Sequence, residues 1–517
     1  MSAAPKTAAP SGRKKAIGDR SLAIGDTAKP PAALGHEAQE TSSAEGAKQS
    51  GMVALKELVH PRREKAIPVE HPELPYIGLE HVEAHTTKLL GSVPAAEMRS
   101  TANRFYSGDV LYSRLRPYLN KVWRADHDGL CSSEFIVLPG SESVDAGFLR
   151  YRLNSADFVS FANSLNAGDR PRVDFDQISS FCILLSSLPR QRLIVAEIEK
   201  QFTRLEAGVA ALRRVQANLK RYRAAVLKAA CEGRLVPTEA ELARVGRVPP
   251  RGVRPNAKNA ASGDAAYNDA PYETGEQLLQ RILTERRQNW QGRGQYKEPA
   301  APDSTKLPPL PESWAWATVE QLAAPEANSI TDGPFGSNLK TAHYMDNGPR
   351  VIRLQNIGDG VYVDEEAHIS QAHFERLLKH RVFANDVVIA GFGQNPPRSC
   401  IIPASLGPAI VKADCIRFKP HSSVTPKYMN AALNSEPVRK RTKGKVHGVG
   451  RPRLNLGEIK SIVLPVPPLA EQTRIVAEVE RRLSMVEELE AVVSANLQRA
   501  TSLRQSILQK AFTGGLL

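Results

Sequence analysis

The sequence predicts an α+β fold in which two mixed α/β domains alternate with two long helices. The helices pair as an antiparallel coiled coil, and the whole forms an internal pseudo-twofold repeat. Three observations carry this reading. Several segments return 281 residues later in one ungapped register. Two runs of about 40 residues have no internal proline and place apolar residues at alternating steps of three and four. Short β-branched runs bounded by Gly, Pro, Asn and Asp fill the stretch before each.

The repeat is clearest at three places. Leu188-Pro-Arg-Gln-Arg-Leu-Ile-Val-Ala-Glu-Ile-Glu199 returns as Leu469-Ala-Glu-Gln-Thr-Arg-Ile-Val-Ala-Glu-Val-Glu480. Leu227-Lys-Ala-Ala-Cys-Glu-Gly233 matches Leu508-Gln-Lys-Ala-Phe-Thr-Gly514, and Arg170-Pro-Arg172 matches Arg451-Pro-Arg453. Further upstream the halves correspond with drifting offsets: Tyr76-Ile-Gly-Leu79 with Val351-Ile-Arg-Leu354, Gly108-Asp-Val-Leu111 with Asn385-Asp-Val-Val388, and Glu134-Phe-Ile-Val137 with Asp414-Cys-Ile-Arg417. Drift of this kind is what loops of unequal length between two copies of one fold produce.

The resulting plan has six parts. Residues 1–51, rich in Ala, Pro, Gly and Ser, form a tail expected to be disordered. Residues 52–187 form the first domain and 188–236 the first long helix. Residues 237–310 connect the halves, with a low-complexity stretch at 252–270, a short helix at Glu276-Gln-Leu-Leu-Gln-Arg-Ile-Leu283 and a Pro-rich lead-in at Leu307-Pro-Pro-Leu-Pro311. Residues 311–468 form the second domain and 469–517 the second long helix.

In the first helix Ile194, Ile198, Phe202, Leu205 and Leu212 lie on one stripe; in the second, Ile475, Val479, Leu483, Val486 and Val493 do. Both runs end at glycine, Gly233 and Gly514, a frequent stop signal. At ~1.5 Å per residue each helix is roughly 55–60 Å long. A narrow seam of that length needs an equally long partner, and the second copy supplies one. Two unlike heads held at a fixed separation suit a stiff ligand with two separated features. Duplex DNA is such a ligand, and the expected target is bipartite and non-palindromic.

Composition agrees without deciding. The 517 residues carry a formal charge of +14, from 69 Lys+Arg against 55 Asp+Glu, a moderate excess that suits phosphate contact. The five cysteines are scattered and form no C-x-x-C pair, which favours reduced thiols in a cytoplasmic protein and no zinc site. No run approaches the ~18 apolar residues of a membrane span. Arg13, Lys14 and Lys15 precede no apolar stretch, so a signal peptide is not expected.

With these parts in place, the sequence resembles the DNA-specificity (S) subunits of type I restriction-modification systems. The resemblance rests on Pro468-Leu-Ala-Glu-Gln-Thr-Arg-Ile-Val-Ala-Glu-Val-Glu480, on the loop Asp332-Gly-Pro-Phe-Gly-Ser337, on Glu276-Gln-Leu-Leu-Gln-Arg-Ile-Leu-Thr-Glu-Arg-Arg287 and on Leu310-Pro-Glu-Ser-Trp-Ala-Trp-Ala-Thr-Val319. It covers roughly residues 52–517. The first domain departs from it: it has no Trp-rich lead-in like Trp314 and Trp316, and no counterpart of the loop at 332–337. The resemblance implies two target-recognition domains, each reading half of a split site. It implies double-stranded DNA, two methyltransferase (M) subunits and, through them, restriction (R) subunits as partners. S-adenosylmethionine, ATP and Mg would be used by those partners, with no cofactor and no catalytic residue in this chain. Related methyltransferase-only or type IIB/IIG-like systems, or a catalytic DNA methyltransferase, are the alternatives.

Candidate DNA-binding residues follow from side-chain chemistry. Arginine's planar fork pairs with phosphate or with guanine in the major groove. Arg170, Arg172, Arg451 and Arg453 recur in both copies, which favours phosphate contact or bracing over base reading. Residues that differ between copies are better specificity candidates: Arg114 and Arg116 in the first domain; Arg398, Arg439, Lys440, Arg441, Lys443 and Lys445 in the second. Asn395-Pro-Pro-Arg398 has arginine where adenine methyltransferases place an aromatic, and reads as a turn between strands. No phosphate-binding Gly-x-x-x-x-Gly-Lys loop occurs, and His81 and His85 lack a third metal ligand and read as surface residues.

Overall fold

The computed structural model describes residues 51–245 and 272–516, apart from 167, 169, 293, 394 and 449–451. The tail at 1–50, the low-complexity stretch at 252–270 and Arg451 therefore lie outside the described residues.

Each domain opens and closes with a two-stranded antiparallel ribbon. In the first, Gly51–Ala54 pairs with Cys182–Leu185, so the ribbon begins at Gly51, the last residue of the expected tail. In the second, Ala315–Thr318 pairs with Val463–Val466. Between the ribbon strands of the first domain lie a five-stranded sheet, ordered Lys65–Ala66, Ala102–Phe105, Gly129–Cys131, Pro75–Ile77, Val93–Pro94, and a three-stranded sheet centred on Val110–Ser113. The second domain has two four-stranded sheets, one centred on Cys415–Phe418 and Val387–Ala390, the other on Tyr344–Ile352 and Ala409–Val411. A parallel pair occurs in each domain, Pro75–Ile77 with Gly129–Cys131 and Tyr344–Ile352 with Ala409–Val411. Helices Ala146–Leu153, Ala156–Ser164 and Phe175–Ile178 recur as Pro426–Leu433, Glu436–Thr442 and Leu456–Lys460.

The same corner is built twice. Gly108 and Asn385 both take the left-handed conformation, at φ 95° and 67°, which costs least at Gly and Asn. Each turns the next residue, an aspartate, inward. Asp109 accepts from the Tyr106 amide and from Arg62 Nε, both at 2.9 Å; Asp386 accepts from the Phe383 amide at 2.9 Å and from Arg417 Nε at 2.6 Å. The guanidinium stacks on the aromatic ring three residues before the aspartate, 4.7 Å from Tyr106 and 4.9 Å from Phe383. The arginine comes from a different segment in each domain, yet the charge pair and the stack are alike.

The two long helices run Leu188–Cys231 and Leu469–Phe512, each 44 residues. They end where left-handed glycines follow, Gly233 at φ 66° and Gly514 at φ 82°. Arg223 pairs with Glu487 at 3.5 Å, while Arg504 pairs with Glu206 at 3.6 Å, so the helices lie side by side in opposite directions. The apolar stripe divides into three. Ile194, Ile198 and Phe202, with Leu205 at the edge, join the core of the first domain together with Ile507, Leu508 and Ala511 of the other helix. Ile475 and Val479, with Leu483 at the edge, join the core of the second domain together with Val226, Ala230 and Cys231. The middle is a seam of the two helices alone, from Leu219, Val486 and Val493 with Leu212 and Leu497. Each buried aliphatic or aromatic side chain contributes ~1.5–3 kcal/mol. The end contacts add to the seam, so the helices are held both by each other and by the domains they share.

Candidate nucleic-acid interface

In each domain some of the expected DNA-binding residues meet where two loops run alongside each other, and others are committed elsewhere. In the first, residues 114–116 lie alongside 171–173: the Arg116 amide donates to Pro171 O at 2.8 Å and the Val173 amide to Arg114 O at 2.9 Å. Leu115 thus stands opposite Arg172 across the bridge, with Arg114 and Arg116 flanking Leu115 along the chain and Arg170 exposed two residues before Arg172. Arg116 itself sits at φ 52°, leading into the turn Pro117–Leu119.

The second domain repeats the backbone and changes the side chains. Phe392 bridges Arg453 as Leu115 bridges Arg172. Gly391 and Gly393 therefore stand where Arg114 and Arg116 stand in the first domain. A basic group arrives from another direction: Arg398, first residue of the strand Arg398–Ile401, brings Nη2 3.7 Å from where a Gly393 side chain would begin. Pro396–Pro397, joined by a cis peptide bond, makes the turn between paired strands Val387–Ala390 and Arg398–Ile401.

Of the recurring arginines, Arg172 and Arg453 are braced. Arg172 Nη2 lies 2.6 Å from Glu134 Oε1, and Arg453 Nη2 lies 2.6 Å from Asp414 Oδ1. Glu134 and Asp414 are themselves matched positions in the sequence. Both guanidinium groups stay about half exposed, so each is positioned by its acid and still open to a phosphate.

The basic run at 439–445 divides. Arg439 donates to Pro397 O at 3.0 Å, Asp359 Oδ1 at 2.8 Å and Asn434 Oδ1 at 3.0 Å, which makes it a brace across the domain. Arg441 is folded inward over the Trp316 ring at 4.7 Å, and its burial lowers its pKa from the ordinary guanidinium value. Lys445 donates to Ser461 O at 2.8 Å and Oγ at 2.7 Å, with burial again lowering its pKa. Lys440 and Lys443 remain exposed and line a groove of about 680 Å³ with Asn395, Pro396 and Pro452.

The loop 332–337 adds a residue that sequence reasoning did not single out. Asp332 Oδ1 accepts from the Gly333 amide at 2.7 Å and from the Asp414 amide at 3.2 Å. A side chain at Gly333 would meet the Lys412 carbonyl carbon at 2.0 Å, so only glycine fits there. Burial, with a smaller push from Asp414, raises the Asp332 carboxyl to about 6. At the tip Phe335 is exposed, its ring 5.7 Å from the Arg453 guanidinium. Its signal was an aromatic between glycines, and the arginine 118 positions on cannot be seen from local pattern.

Elsewhere, His81 is no surface residue as expected: its Nδ1 accepts from the Gly78 amide at 2.8 Å and the ring is mostly covered. His85 is exposed. Among the described residues no group of three or more His, Cys, Asp or Glu could hold a metal, and no helix is long and apolar enough to cross a membrane.

The geometry defines a class: mixed α/β heads carrying basic loop clusters, built on two long helices. A chain from a structure described as the structural basis of complex assembly and conformational transition of the type I R-M system has this fold. The superposition covers 90% of the present chain and 98% of that one, at a TM-score of 0.56 and 19% identity. No family model matches the chain. In sequence it is 31% identical over 140 residues to the type I restriction enzyme EcoDI specificity subunit of Escherichia coli, covering 26% of this chain and 31% of that protein. It is 28% identical over 171 residues to the EcoBI specificity subunit of Escherichia coli, covering 33% and 36%. The matches thus span about a third of these curated relatives. Over those segments the chain is similar in sequence to type I restriction enzyme specificity subunits, and it shares its fold with a chain of the type I R-M structure.

Proposed function

We propose that this chain is the sequence-specific DNA-binding subunit of a type I restriction-modification complex, reading a bipartite, asymmetric target. The observation that carries the proposal is the pairing of two 44-residue helices with a basic, similarly built but differently furnished head at either end. In this reading the helices are an antiparallel coiled coil lying on a pseudo-twofold axis, and at ~1.5 Å per residue they set the distance between half-sites. Arg114 and Arg116 in one head, and Arg398, Lys440 and Lys443 in the other, differ between copies and are the groups that would read or select each half. Arg172 and Arg453, held alike by acids, would set the register on phosphates.

The chain itself carries no catalysis in this proposal. Two methyltransferase subunits dock on the helices and restriction subunits on those, in the cytoplasm; they bring S-adenosylmethionine, ATP and Mg. The alternative of a catalytic methyltransferase loses support from the turn at 395–398, where Arg398 enters a strand in the place that such a motif gives to an aromatic.

Co-expression with the methyltransferase subunit, followed by mapping of methylated bases, tests the proposal. The expected result is a split motif of which one half changes when one head is exchanged. A continuous palindrome, or no methylation, would overturn it.

A further inference from the structure

Phe335 is an apolar ring held out toward solvent by a loop that is fastened on both sides of it. Before it, Asp332 Oδ1 binds the Gly333 and Asp414 amides, and Gly333 and Pro334 are buried. After it, Gly336 turns left-handed at φ 61°, and the Asn338 amide closes back on Phe335 O at 3.3 Å. His373 Nε2 donates to Asn338 O at 2.8 Å, and Leu339 enters a hydrophobic core. Between these anchors the Phe335 side chain stays 48% exposed. A ring already set in place gives up little freedom when it meets a partner.

Its surroundings say what kind of partner that is. The ring lies 5.7 Å from the Arg453 guanidinium, which Asp414 holds at 2.6 Å and which is itself 48% exposed. Asp332 is spent on two amides and Asp414 on the arginine, so the loop presents a flat apolar face beside a cation. Nucleic acid is the complement of that pair, with flat bases beside a chain of phosphates. The first head presents the same two kinds of group from unrelated sequence. Tyr118, 43% exposed, follows Arg116 by two residues. Its turn is fixed by left-handed Arg116 and Asn120, and Asn120 Nδ2 donates to Asn154 O at 3.0 Å.

We propose that Phe335 stacks on a nucleobase of the half-site read by the second head, next to a phosphate held by Arg453. The inference rests on the DNA reading above and deepens it by naming the group that meets the base face. Every base offers such a face, so the ring supplies affinity and leaves the choice of base to the polar groups around it. An aromatic contact carries no charge, which separates it from Arg453: removal of the ring weakens binding without changing its dependence on salt.

The test uses the full chain assembled with its methyltransferase subunit, and duplexes that carry the mapped methylation motif. 2-Aminopurine replaces one base at a time through each half-site, and its fluorescence reports stacking. The expected result is one position, in the half assigned to the second head, whose emission changes on binding. That change should survive Phe335→Tyr and disappear in Phe335→Ala and in Phe335→Leu, which keeps apolar bulk but has no ring face. Both of the latter should bind about ten-fold more weakly, with the same salt slope and the same methylated motif. Wild-type affinity in Phe335→Ala overturns the proposal, as does full retention in Phe335→Leu. A variant that loses methyltransferase subunit while keeping its grip on DNA also overturns it, because the ring then meets protein. So does loss of binding in Phe335→Tyr together with a lowered melting temperature, since the ring then serves the fold. All four results leave the specificity reading intact; a wild-type complex that does not bind the motif duplex overturns both.

Discussion

Gln191 and Gln472, 281 positions apart, bolt the two long helices to their domains through the same hydrogen bonds. Gln191 Oε1 accepts from the Asp145 amide at 2.8 Å, and Gln472 Oε1 accepts from the Thr425 amide at 3.0 Å; Asp145 and Thr425 are the residues that start the matched helices Ala146–Leu153 and Pro426–Leu433. Each Nε2 donates to the carbonyl five residues before it, Ser186 O at 2.7 Å and Pro467 O at 3.0 Å. Both glutamines are fully buried. Replacement of either by alanine leaves a buried donor and acceptor without partners, at a cost of about 1–3 kcal/mol. Urea unfolding of Q191A and Q472A should show that loss in each; an unchanged midpoint would mean water fills both places.

The twin aspartates should respond unequally. Arg417 is almost wholly buried against Asp386, whereas Arg62 is partly exposed beside Asp109. Asp386→Asn strands a buried cation, with an expected cost of about 3–5 kcal/mol, and Asp109→Asn should cost clearly less. Comparison of the two variants by chemical denaturation checks the order.

Asp332 gives a pH signature. Its carboxyl is raised to about 6 in the folded chain from an ordinary value near 4, so the folded state holds the proton more tightly. Stability from this group is therefore fully present below about pH 4 and is lost as pH rises through about 6. Asp332→Asn keeps an oxygen for the Gly333 and Asp414 amides and removes the charge. It should raise the melting temperature at pH 7.5 and leave it unchanged at pH 4. A gain that is equal at both values would refute the assignment.

The basic groups should separate by salt. Lys440→Ala and Lys443→Ala remove exposed charges, and each should reduce the salt slope of duplex binding by about 0.9 if it meets a phosphate. Arg439→Ala should instead destabilise the domain, because its guanidinium is committed to Pro397, Asp359 and Asn434. Arg116→Ala should relax only one half of the methylated motif. Titration of labelled duplex against salt, beside thermal melting, distinguishes these outcomes.

The helices can be lengthened. One heptad inserted at matched points of the middle seam, near Leu212 and Val493, adds ~10 Å and keeps the apolar repeat. The methylated motif should keep both half-sites and gain about three base pairs of spacer; an unchanged spacer would show that other contacts set it.

Much of this architecture was legible because repetition and helix periodicity are local in sequence. The glycines that mark the ends of both runs in the sequence, Gly233 and Gly514, follow the last helical residues Cys231 and Phe512 by two positions and turn left-handed there. The apolar stripe gave one seam, yet the same three-and-four spacing serves for Ile198 docking on a sheet domain and for Val486 facing a helix. Periodicity reports that a face is buried and not what buries it. The pairing of Arg172 with Glu134, or of Phe335 with Arg453, joins residues far apart in the chain, and no spacing rule connects them.

The shared helix ends have a consequence for inheritance. The first domain rests on Ile507, Leu508 and Ala511, which lie at the far end of the chain. A gene that acquires a new first domain by recombination must therefore also match three residues encoded some 300 codons downstream, or accept a poorly seated head. Exchange of the second domain faces the mirror constraint at Val226 and Ala230, but these lie close upstream and travel with it on a modest fragment. Novel specificities should thus arise more readily by replacement of the second head than of the first.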